Sequence, residues 1–425
     1  MLSREENELL TRTGRGTPMG QVLRRYWIPA VLSSEIPEPD CPPVRVKLLG
    51  EELVAFRDSS GRIGLVQERC AHRCASLFFG ANRENGLRCI YHGWKYDVEG
   101  NCVEQPSEPD ETDFAHKVKL TAYPCHKRGG LVWTYMGLPK KMPGLPELEW
   151  NTLPPGHAYI SKRLQECNYF QAMEGGIDSS HISWLHSDQG PNKPPLQLSK
   201  GGEYARADRH PVFEAQDTDY GLLIGARRNA DEDHYYWRIT QWIAPWYTMI
   251  PPFGERPIGG HAWVPADDES CWAWSFDWHP QRKLTPDEVE FWRGGGGFHA
   301  ELMPGTWIPK RNTRNSYLQD REAQRSGRSL TGIDGIQAQD TCAQESQGAV
   351  MDRSQEQLGT TDLAIIKARR LLLNAARDLA QDPPGLDPAS QRVRSVSVVL
   401  PKGVPFAEGA RETLVALPET YVVSA

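Results

Sequence analysis

Two short Cys/His loops constrain this chain more than any other part of its sequence. The first loop reads CAHRC and contributes Cys70 and His72, and the second reads CIYH and contributes Cys89 and His92. Sixteen residues separate His72 from Cys89. The nine cysteines are odd in number and scattered, and a disulfide framework is not expected in a cytosolic chain of this length. The clustered thiols and imidazoles therefore indicate a metal site.

The segments around these loops predict a small antiparallel β domain between residues 44 and 136. They are short, rich in β-branched and aromatic residues, and separated by turns containing glycine or asparagine, as in VRVKLLG, ELVAFRD, IGLVQE and LVWTYM. The two loops fall at the ends of such strands. Tight loops at strand ends can present their side chains to a common metal.

Two kinds of site accept two thiolates and two imidazoles. A structural zinc ion would do so, but zinc ribbons usually take paired cysteines from one CxxC loop. A [2Fe–2S] cluster with both cysteines on one iron and both histidines on the other requires one of each from each loop. The spacing therefore favours the iron–sulfur cluster, with zinc as the alternative.

The full pattern, C-x-H-x16-C-x2-H followed by Gly-Trp-Lys-Tyr-Asp, resembles the signature of Rieske [2Fe–2S] proteins. Cys74 departs from the pattern, because Rieske oxygenases commonly have glycine at this position. The second loop offers Cys74 no disulfide partner. We expect Cys74 to be a free thiol near the cluster, packed as a small buried residue.

A second motif lies in the segment ECNYFQAMEGGIDSSHISWLHSD, whose apolar residues recur at helical spacing. Asp178 and His181 are three residues apart and face the same side of a helix. His186 lies five residues beyond His181, about 140° round an ideal helix. Both histidines can face one ion only if the helix ends or bulges between them.

This segment resembles the iron site of the catalytic subunits of Rieske non-haem iron oxygenases, (D/E)-x3-D-x2-H-x4-H. Glu174, Asp178, His181 and His186 match it position by position. The resemblance implies a mononuclear Fe(II) held by two histidines and one carboxylate, with an open face for O2 and substrate. It also implies that Asp178 bridges His181 to a cluster histidine, His92, of a neighbouring subunit.

The resemblance places the third ligand, a carboxylate, at the start of a late helix. In GIDGIQAQDTCAQESQGAVMDR the best match is Asp340, and Glu345 is the next candidate. Asp352 precedes Arg353 and has the pattern of a salt-bridged surface or capping residue.

The remaining segments predict strands (GLLIGARR, YYWRITQWIA, CWAWSFDWH) and helices at 284–293 and 361–382. The resemblance implies a helix-grip catalytic domain, an antiparallel sheet closed by long helices. The predicted fold is therefore α+β, an all-β Rieske domain followed by that catalytic domain. The expected boundaries are a helical N-terminal segment at 1–40, the Rieske domain at 41–150 and the catalytic domain at 151–425.

The segments RRYWIPA, PWYTMIPP, HAWVP and SLTGIDGIQAQD resemble the phthalate dioxygenase group of these oxygenases. The resemblance implies an oxygenase component that dihydroxylates an aromatic carboxylate of the phthalate, isophthalate or substituted benzoate type. Electrons would come from a separate flavin and iron–sulfur reductase using NAD(P)H, and the chain would form homotrimers or stacked trimers. Monooxygenation or O-demethylation, and cleavage of phenoxybenzoate-type ethers, remain alternatives because they use the same ligands.

An aromatic acid requires a carboxylate-binding group in the pocket, and arginine presents a planar fork of donors. On the predicted strand YARADRH we favour Arg206, with Ser179 beside Asp178 as a second polar contact. Further candidates are Arg227, Arg228 and Arg238.

The charge and composition of the sequence indicate which other kinds of partner are not expected. The formal net charge of −7 gives no electrostatic reason to expect nucleic acid or an anionic membrane. The N-terminus MLSREENELL lacks the apolar run of a secretory signal, and no apolar stretch is long enough to span a bilayer. We expect a cytoplasmic protein.

Overall fold

The computed structural model describes residues 1–192, 200–252, 257–391 and 393–415, and the backbone of Val422–Val423. These residues form two compact units, one of residues 13–145 and the other of residues 1–12 with 146–425. The predicted N-terminal segment of residues 1–40 is thus divided between the two units. The second unit begins at residue 146 rather than 151.

Hydrogen bonds explain why the first residues belong to the second unit. Helix α1 (Arg4–Thr11) starts at a capping box in which Ser3 and Glu6 satisfy each other's backbone amides. The side chain of Asn7 donates to the carbonyl of Met351 at 2.8 Å. Asn168 donates to the last carbonyl of the helix, Thr11 O, at 3.0 Å.

The unit of residues 13–145 contains one short helix, and its strands form three small antiparallel sheets. The elements are α2 (Pro18–Leu23), β1 (Trp27–Leu32), β2 (Val44–Leu48), β3 (Glu51–Arg57), β4 (Ile63–Gln67), β5 (Ala81–Arg83), β6 (Gly86–Arg88), β7 (Lys95–Tyr96), β8 (Cys102–Glu104), β9 (Ala122–Tyr123), β10 (Cys125–Arg128) and β11 (Leu131–Tyr135). The sheets have the orders β1-β11-β10, β2-β3-β4-β9 and β5-β6-β7-β8.

One hydrophobic core brings the two Cys/His loops of this unit together. The first loop follows β4, and the second joins β6 to β7. The core includes the thiol-bearing Cys70 and Cys89 alongside large apolar side chains of the adjoining strands, namely Val54, Phe56, Val66, Leu87, Trp94 and Tyr96. The predicted all-β domain is confirmed.

The second unit is built on one large sheet. The strands are β12 (Ala158–Gln165), β13 (Val212–Asp217), β14 (Gly221–Asn229), β15 (His234–Ile243), β16 (Tyr247–Ile250), β17 (Ile258–Pro265), β18 (Cys271–Trp278), β19 (Val396–Pro401) and β20 (Val422–Val423). The strand order is β12-β18-β17-β16-β15-β14-β13, with all of these pairs antiparallel. Strand β19 also pairs with β15 and runs parallel to β20. This sheet and its helices confirm the predicted α+β class.

Helices lie between and after these strands. They are α3 (Glu149–Thr152), α4 (Tyr169–Ile177), α5 (Lys200–Ala207), α6 (Pro286–Arg293), α7 (Arg321–Arg325), α8 (Ile336–Glu345), α9 (Leu363–Arg377) and α10 (Phe406–Val415). Helix α5 corrects a prediction, because YARADRH was expected to be a strand, whereas its first four residues belong to this helix and its last three lie beyond it. Its alanines, glutamate and arginine favour a helix, and this preference outweighs a period-two pattern only seven residues long. In the described part of the chain, no helix is long and apolar enough to cross a membrane.

Helix α4 packs against the sheet at a point where a glycine is required. A Cβ atom at Gly176 would lie 2.3 Å from the ring of Trp263 and 2.7 Å from the hydroxyl of Thr248. Both side chains are buried on neighbouring strands, β16 and β17, so neither can withdraw freely. The backbone of α4 can therefore approach the sheet this closely only without a side chain at this position.

We predict that Gly176→Ala destabilises the second unit by about 1–3 kcal/mol, because overpacking of a buried contact exceeds the gain in helix propensity of up to about 1 kcal/mol. Thermal unfolding measures the effect. Gly403→Ala is the control, since Gly403 is exposed and a Cβ there meets no atom within 4 Å. Equal melting temperatures for the two variants would contradict the packing argument.

Candidate active site

The end of helix α4 shapes the site. The side chain of Asn168 accepts a hydrogen bond from Phe170 N and caps the start of the helix, and the helix ends at Asp178, whose backbone is extended. A short 3₁₀ turn, His181–Ser183, follows. The sequence analysis placed a break between His181 and His186, whereas in the structure the helix ends before both histidines. Helical periodicity therefore does not determine the directions of the two imidazoles.

Three side chains converge beyond this break. The Nε2 atoms of His181 and His186 lie 3.6 and 3.0 Å from Oδ1 of Asp340, which helix α8 supplies. One ligand atom from each of the three lies within 4.8 Å of the others. Two imidazoles and one carboxylate in this arrangement fit Fe(II) with open positions.

The other two carboxylates considered for this role have different partners. Glu345 accepts hydrogen bonds from Glu166 N and from the hydroxyls of Thr313 and Tyr317. Asp352 accepts from the backbone amide and hydroxyl of Ser354, so it stabilises a local turn rather than the start of a helix.

The outer nitrogens of both histidines are held by acceptors. Nδ1 of His181 lies 3.1 Å from Oδ2 of Asp178, and Nδ1 of His186 lies 2.8 Å from Oε1 of Gln339. An acceptor at Nδ1 selects the tautomer whose Nε2 carries a lone pair, and in both rings Nε2 faces Asp340.

The charge on Asp178 is well stabilised. Burial by itself raises the pKa of Asp178. The hydrogen bond and charge of His181 and the hydrogen bonds from Ser180 outweigh this effect and lower the pKa to about 2. The carboxylate is therefore ionised at neutral pH, and it acts as an acceptor for the imidazole rather than as a donor.

Sequence reasoning missed Gln339. Its amide nitrogen donates to Asp188 O, Thr331 Oγ1 and Ile333 O at 3.1–3.2 Å. These three bonds orient the amide so that its oxygen faces His186. The only sequence signal was its position immediately before Asp340.

Glu174 lies outside this group of ligands. Its two oxygens accept from two buried guanidiniums, Arg353 Nη2 at 3.0 Å and Arg369 Nε at 2.6 Å, and Arg369 also pairs with Glu356. Burial raises the pKa of Glu174, while the charges of Arg353 and Arg369 lower it by more. The first residue of the motif therefore anchors helix α4.

The four residues predicted to hold the iron–sulfur cluster also converge within their own unit. The thiols of Cys70 and Cys89 are buried, and the ring centroids of His72 and His92 lie 4.3 Å apart. Within the described part of the chain, Nδ1 of His72 is buried and has no hydrogen-bond partner. A buried polar atom without a partner is uncommon and fits a nitrogen that binds a metal.

Two aromatic residues of the Gly-Trp-Lys-Tyr-Asp segment support these ligands. The ring of Trp94 stacks on His72 with centroids 4.6 Å apart. The hydroxyl of Tyr96 lies 3.2 Å from Sγ of Cys70 and accepts from Ala71 N at 3.2 Å.

The prediction for Cys74 was wrong in one respect. The thiol is free, as expected, but it is exposed rather than buried. Its backbone has φ +57° and its amide donates to Cys70 O at 2.9 Å, so it occupies a tight left-handed turn. Glycine, which the resemblance led us to expect here, adopts this conformation without steric cost.

Comparison with known proteins matches this chain to two family models. The model of the Rieske [2Fe-2S] domain family matches residues 26–124, and the family described as "LigXa C-terminal domain like" matches residues 134–412. The chain is 38% identical to the 3-chlorobenzoate-3,4-dioxygenase oxygenase subunit of Comamonas testosteroni, with 94% of this chain and 96% of the relative covered. The chain belongs to the Rieske non-haem iron oxygenases.

Two further comparisons agree. The phthalate 4,5-dioxygenase oxygenase subunit of Pseudomonas putida is 40% identical, with 88% of this chain and 86% of the relative covered. The crystal structure of dicamba monooxygenase bound to dicamba has the same fold, with a TM-score of 0.59, 17% identity, and 84% of this chain and 98% of that chain covered. This Rieske oxygenase thus uses the family's two cofactors, a [2Fe–2S] cluster and a mononuclear iron.

A cavity of about 570 Å³ adjoins the His/His/Asp group in this Rieske oxygenase. This volume suits a small aromatic molecule. The cavity borders on His181, His186 and Asp340 and on apolar side chains that include Trp263, Phe298 and Ile336.

The substrate residues predicted from sequence, Ser179 and Arg206, both border this cavity. Ser179 is buried, and within the described part of the chain its hydroxyl has no hydrogen-bond partner. Arg206 is exposed on α5 and donates to Ser187 O at 2.9 Å.

The other arginine candidates differ in position. Arg238, on β15, is buried and borders the cavity. Arg228 is also buried but donates to Ser179 O at 2.7 Å, and Arg227 lies over the ring of Tyr235.

We predict that Glu174→Gln lowers the free energy of unfolding of the second unit by about 3–5 kcal/mol, because it leaves the buried charge of Arg353 without a compensating carboxylate and Arg369 with Glu356 alone. Chemical denaturation measures this loss. Glu322→Gln breaks an exposed pair with Arg325 and should cost less than about 1 kcal/mol. Similar losses for both variants would contradict an anchoring role.

We predict that Gln339→Leu weakens retention of the mononuclear iron by about 10- to 100-fold, as is typical when the acceptor behind a ligand histidine is removed. Iron release to a chelator measures it, while the visible absorption of the Rieske cluster should stay unchanged. Gln347→Leu, at an exposed position just beyond α8, is the control. Equal iron release from both variants would refute the role of Gln339.

Proposed function

We propose that this chain is the oxygenase component of a multicomponent system that dihydroxylates an aromatic carboxylate with O2 and electrons from an NAD(P)H-dependent flavin and iron–sulfur reductase. The observation that carries the proposal is a buried guanidinium, Arg238, in the wall of the cavity beside the His/His/Asp group. The relatives that act on 3-chlorobenzoate and phthalate support it.

The ligand assignments are part of this proposal. Cys70 and Cys89 would hold one iron of the Rieske cluster, and His72 and His92 the other. His181, His186 and Asp340 would hold the mononuclear Fe(II), which supplies O2 activation when it is bound. The homotrimer or stacked trimers, and the bridge of Asp178 to a cluster histidine of a neighbouring subunit, stay predictions from the resemblance.

The cavity explains how an aromatic acid would be placed. Trp263, Phe298 and Ile336 offer apolar contacts to a ring, and Arg238 offers a planar fork of donors to its carboxylate. Burial lowers the pKa of Arg238, so an anionic ligand would restore the stabilisation that the guanidinium loses on leaving water. The hydroxyl of Ser179 can donate a further hydrogen bond from the same wall.

Binding of the carboxylate also orients the aromatic ring of the substrate. A carboxylate held at the cavity wall fixes which ring carbons face the histidine pair, so the anchor determines regiochemistry as well as affinity. Arg206, exposed on α5, would contribute at the rim of the cavity rather than in its wall.

The test is NADH-coupled O2 uptake with a phthalate dioxygenase reductase and a panel of phthalate, isophthalate, terephthalate, 3-chlorobenzoate, phenoxybenzoate and vanillate. We expect a product that has gained two oxygen and two hydrogen atoms. Release of formaldehyde or a phenol would instead indicate demethylation or ether cleavage, and would contradict dihydroxylation. No stimulation by any aromatic acid, at full iron content, would refute the proposal.

We predict that Arg238→Met raises KM for the aromatic acid about 10- to 100-fold, because a hydrogen bond to a charged group is worth about 1.5–3 kcal/mol. Arg227→Met on the neighbouring strand removes a guanidinium outside the cavity and should leave KM unchanged. The kinetic assay above measures both variants. An unchanged KM for Arg238→Met would exclude it as the carboxylate anchor.

A further inference from the structure

A row of three hydrogen-bonded side chains leads from β12, the first strand in the order of the large sheet, to the cavity. Nδ1 of His299 lies 2.6 Å from Oγ of Ser161 on β12, and its Nε2 lies 2.8 Å from Oδ2 of Asp277 on β18. Of the three residues, only Asp277 borders the cavity, and Ser161 is partly exposed. The row therefore connects an accessible hydroxyl with the cavity wall.

The second oxygen of Asp277 is open on the cavity side. Oδ2 is bonded to His299, while no described residue forms a hydrogen bond with Oδ1. Gly259 pairs with Asp277 in the sheet register and also borders the cavity. A Cβ atom at Gly259 would lie 3.4 Å from Oδ1 and 2.8 Å from the ring of Phe298. Because glycine carries no side chain there, Oδ1 can reach a molecule in the cavity.

Burial determines where the protons of this row reside. Asp277 and His299 are 6% and 1% exposed. Burial raises the pKa of Asp277 well above its usual range, and the charge of Glu288 raises it further. Burial lowers the pKa of His299 to about 3, with a further contribution from the charge of Arg163. At neutral pH the pair is therefore a carboxylic acid beside a neutral imidazole, and it stores a proton next to the cavity without a net charge.

The same three residue types form the catalytic triad of hydrolases, but their order relative to the ligand is reversed here. In a triad the hydroxyl faces the ligand and the carboxylate lies behind the imidazole. In this protein the carboxyl group borders the cavity and the hydroxyl of Ser161 lies behind His299. The row thus presents an acid to the cavity rather than a nucleophile.

The proposed reaction consumes protons in this cavity. A product that gains two oxygen and two hydrogen atoms takes both oxygens from O2, two electrons from the reductase and two protons from water. The apolar walls formed by Trp263, Phe298 and Ile336 offer no acid or base. Carboxyl, imidazole and hydroxyl groups in hydrogen-bond contact can transfer protons, and the row consists of these three groups.

We propose that Ser161, His299 and Asp277 form a proton path from solvent into the cavity, with Asp277 as the acid that delivers the proton. The proposal rests on the proposed function, which creates the demand for protons. In each passage Oδ1 of Asp277 releases a proton to water or a bound molecule in the cavity, and Oδ2 takes the proton of His299 Nε2. Nδ1 then takes the hydroxyl proton of Ser161, which solvent replaces. One proton enters the cavity for each proton taken from solvent, no electron moves, and reorientation of the carboxyl and imidazole groups resets the row.

A purely structural role for the row has a different consequence. The ring of His299 packs edge-on against Tyr159, with centroids 4.8 Å apart. If the row only fixed this contact, Asp277→Asn would keep its turnover, because an amide has the size of a neutral carboxyl group and can bond to the imidazole. If the row delivers protons, the same variant loses turnover at unchanged stability, because an amide does not release a proton at neutral pH.

The first measurement is the rate of product formation in a single turnover of the reduced, iron-loaded protein with phthalate and with 3-chlorobenzoate. Asp277→Asn should slow this rate by about 100-fold or more, the usual contribution of a positioned acid. Its melting temperature and its affinity for the aromatic acid should stay unchanged. Ser161→Ala should also slow the rate, whereas Ser161→Thr, which keeps a hydroxyl, should turn over like the wild type.

The second measurement requires no turnover. The infrared difference spectrum between wild type and Asp277→Asn should contain the carbonyl band of a protonated carboxyl group, which shifts after mixing with D2O. Ser161→Ala should slow this exchange by about tenfold or more, a lower bound on what one proton-transferring group contributes. Ser161→Thr should exchange like the wild type.

Asp231→Asn is the matched control. Asp231 forms an exposed pair with His234, with Oδ1 2.9 Å from Nδ1, and neither residue borders the cavity. This substitution changes the same kind of carboxyl–imidazole contact at a distance from the row. It should leave the carbonyl band, its exchange and the rate of product formation unchanged.

The outcomes separate this inference from the proposed function. An ionised carboxylate in place of the carbonyl band, equal exchange in Ser161→Ala and Ser161→Thr, or wild-type turnover in Asp277→Asn overturns the proton path alone. A lower melting temperature of Asp277→Asn together with slow turnover does the same, and assigns the row a structural role. Oxidation of an aromatic acid by the wild type supports the proposed function in all of these cases. A protonated carboxyl group whose exchange depends on the Ser161 hydroxyl, without oxidation of any aromatic acid, supports the path and refutes the proposed reaction.

Discussion

The buried carboxylate of Glu174 is the interaction on which the iron site of this oxygenase depends. It neutralises Arg353, which follows α8, and Arg369, which lies on α9. Helix α4 is thereby fixed relative to both elements. Since the end of α4 positions the two histidines and α8 carries Asp340, a shift of α4 would separate the three side chains that are proposed to hold the iron.

The motif (D/E)-x3-D-x2-H-x4-H therefore combines three tasks in thirteen residues. Glu174 anchors the helix, Asp178 fixes the tautomer of His181, and the histidines face the cavity. The spacing follows from the helix end. The first two residues are four apart, one turn on the helix, while the histidines lie beyond it, where helical periodicity no longer determines which way a side chain points.

Sequence reasoning was most successful where one local pattern determines the structure. The spacing of Cys70, His72, Cys89 and His92 predicted two loops that do converge, and the period-two segments predicted the strands on which they are carried. Asp340 is far from the histidines along the chain, so no local period could indicate it. Its choice depended on the resemblance to a family.

The errors have identifiable physical causes. The segment of Arg206 is helical because the intrinsic preference of its residues outweighed a short alternation. The exposure of Cys74 follows from a left-handed turn, which residue identity alone did not reveal. Gln339 was missed because an amide is a generic side chain. Its nitrogen donates three hydrogen bonds to distant backbone and side-chain acceptors, and these bonds turn its oxygen toward His186.

Buried charge has two distinct uses in this protein. Arg353 and Arg369 are fully compensated by Glu174 and Glu356, and the resulting network stabilises the fold. Arg163 lacks such a carboxylate, although it is buried to a similar extent. Arg163 therefore differs from the anchoring arginines, because its hydrogen bonds go to neutral acceptors and it borders the cavity.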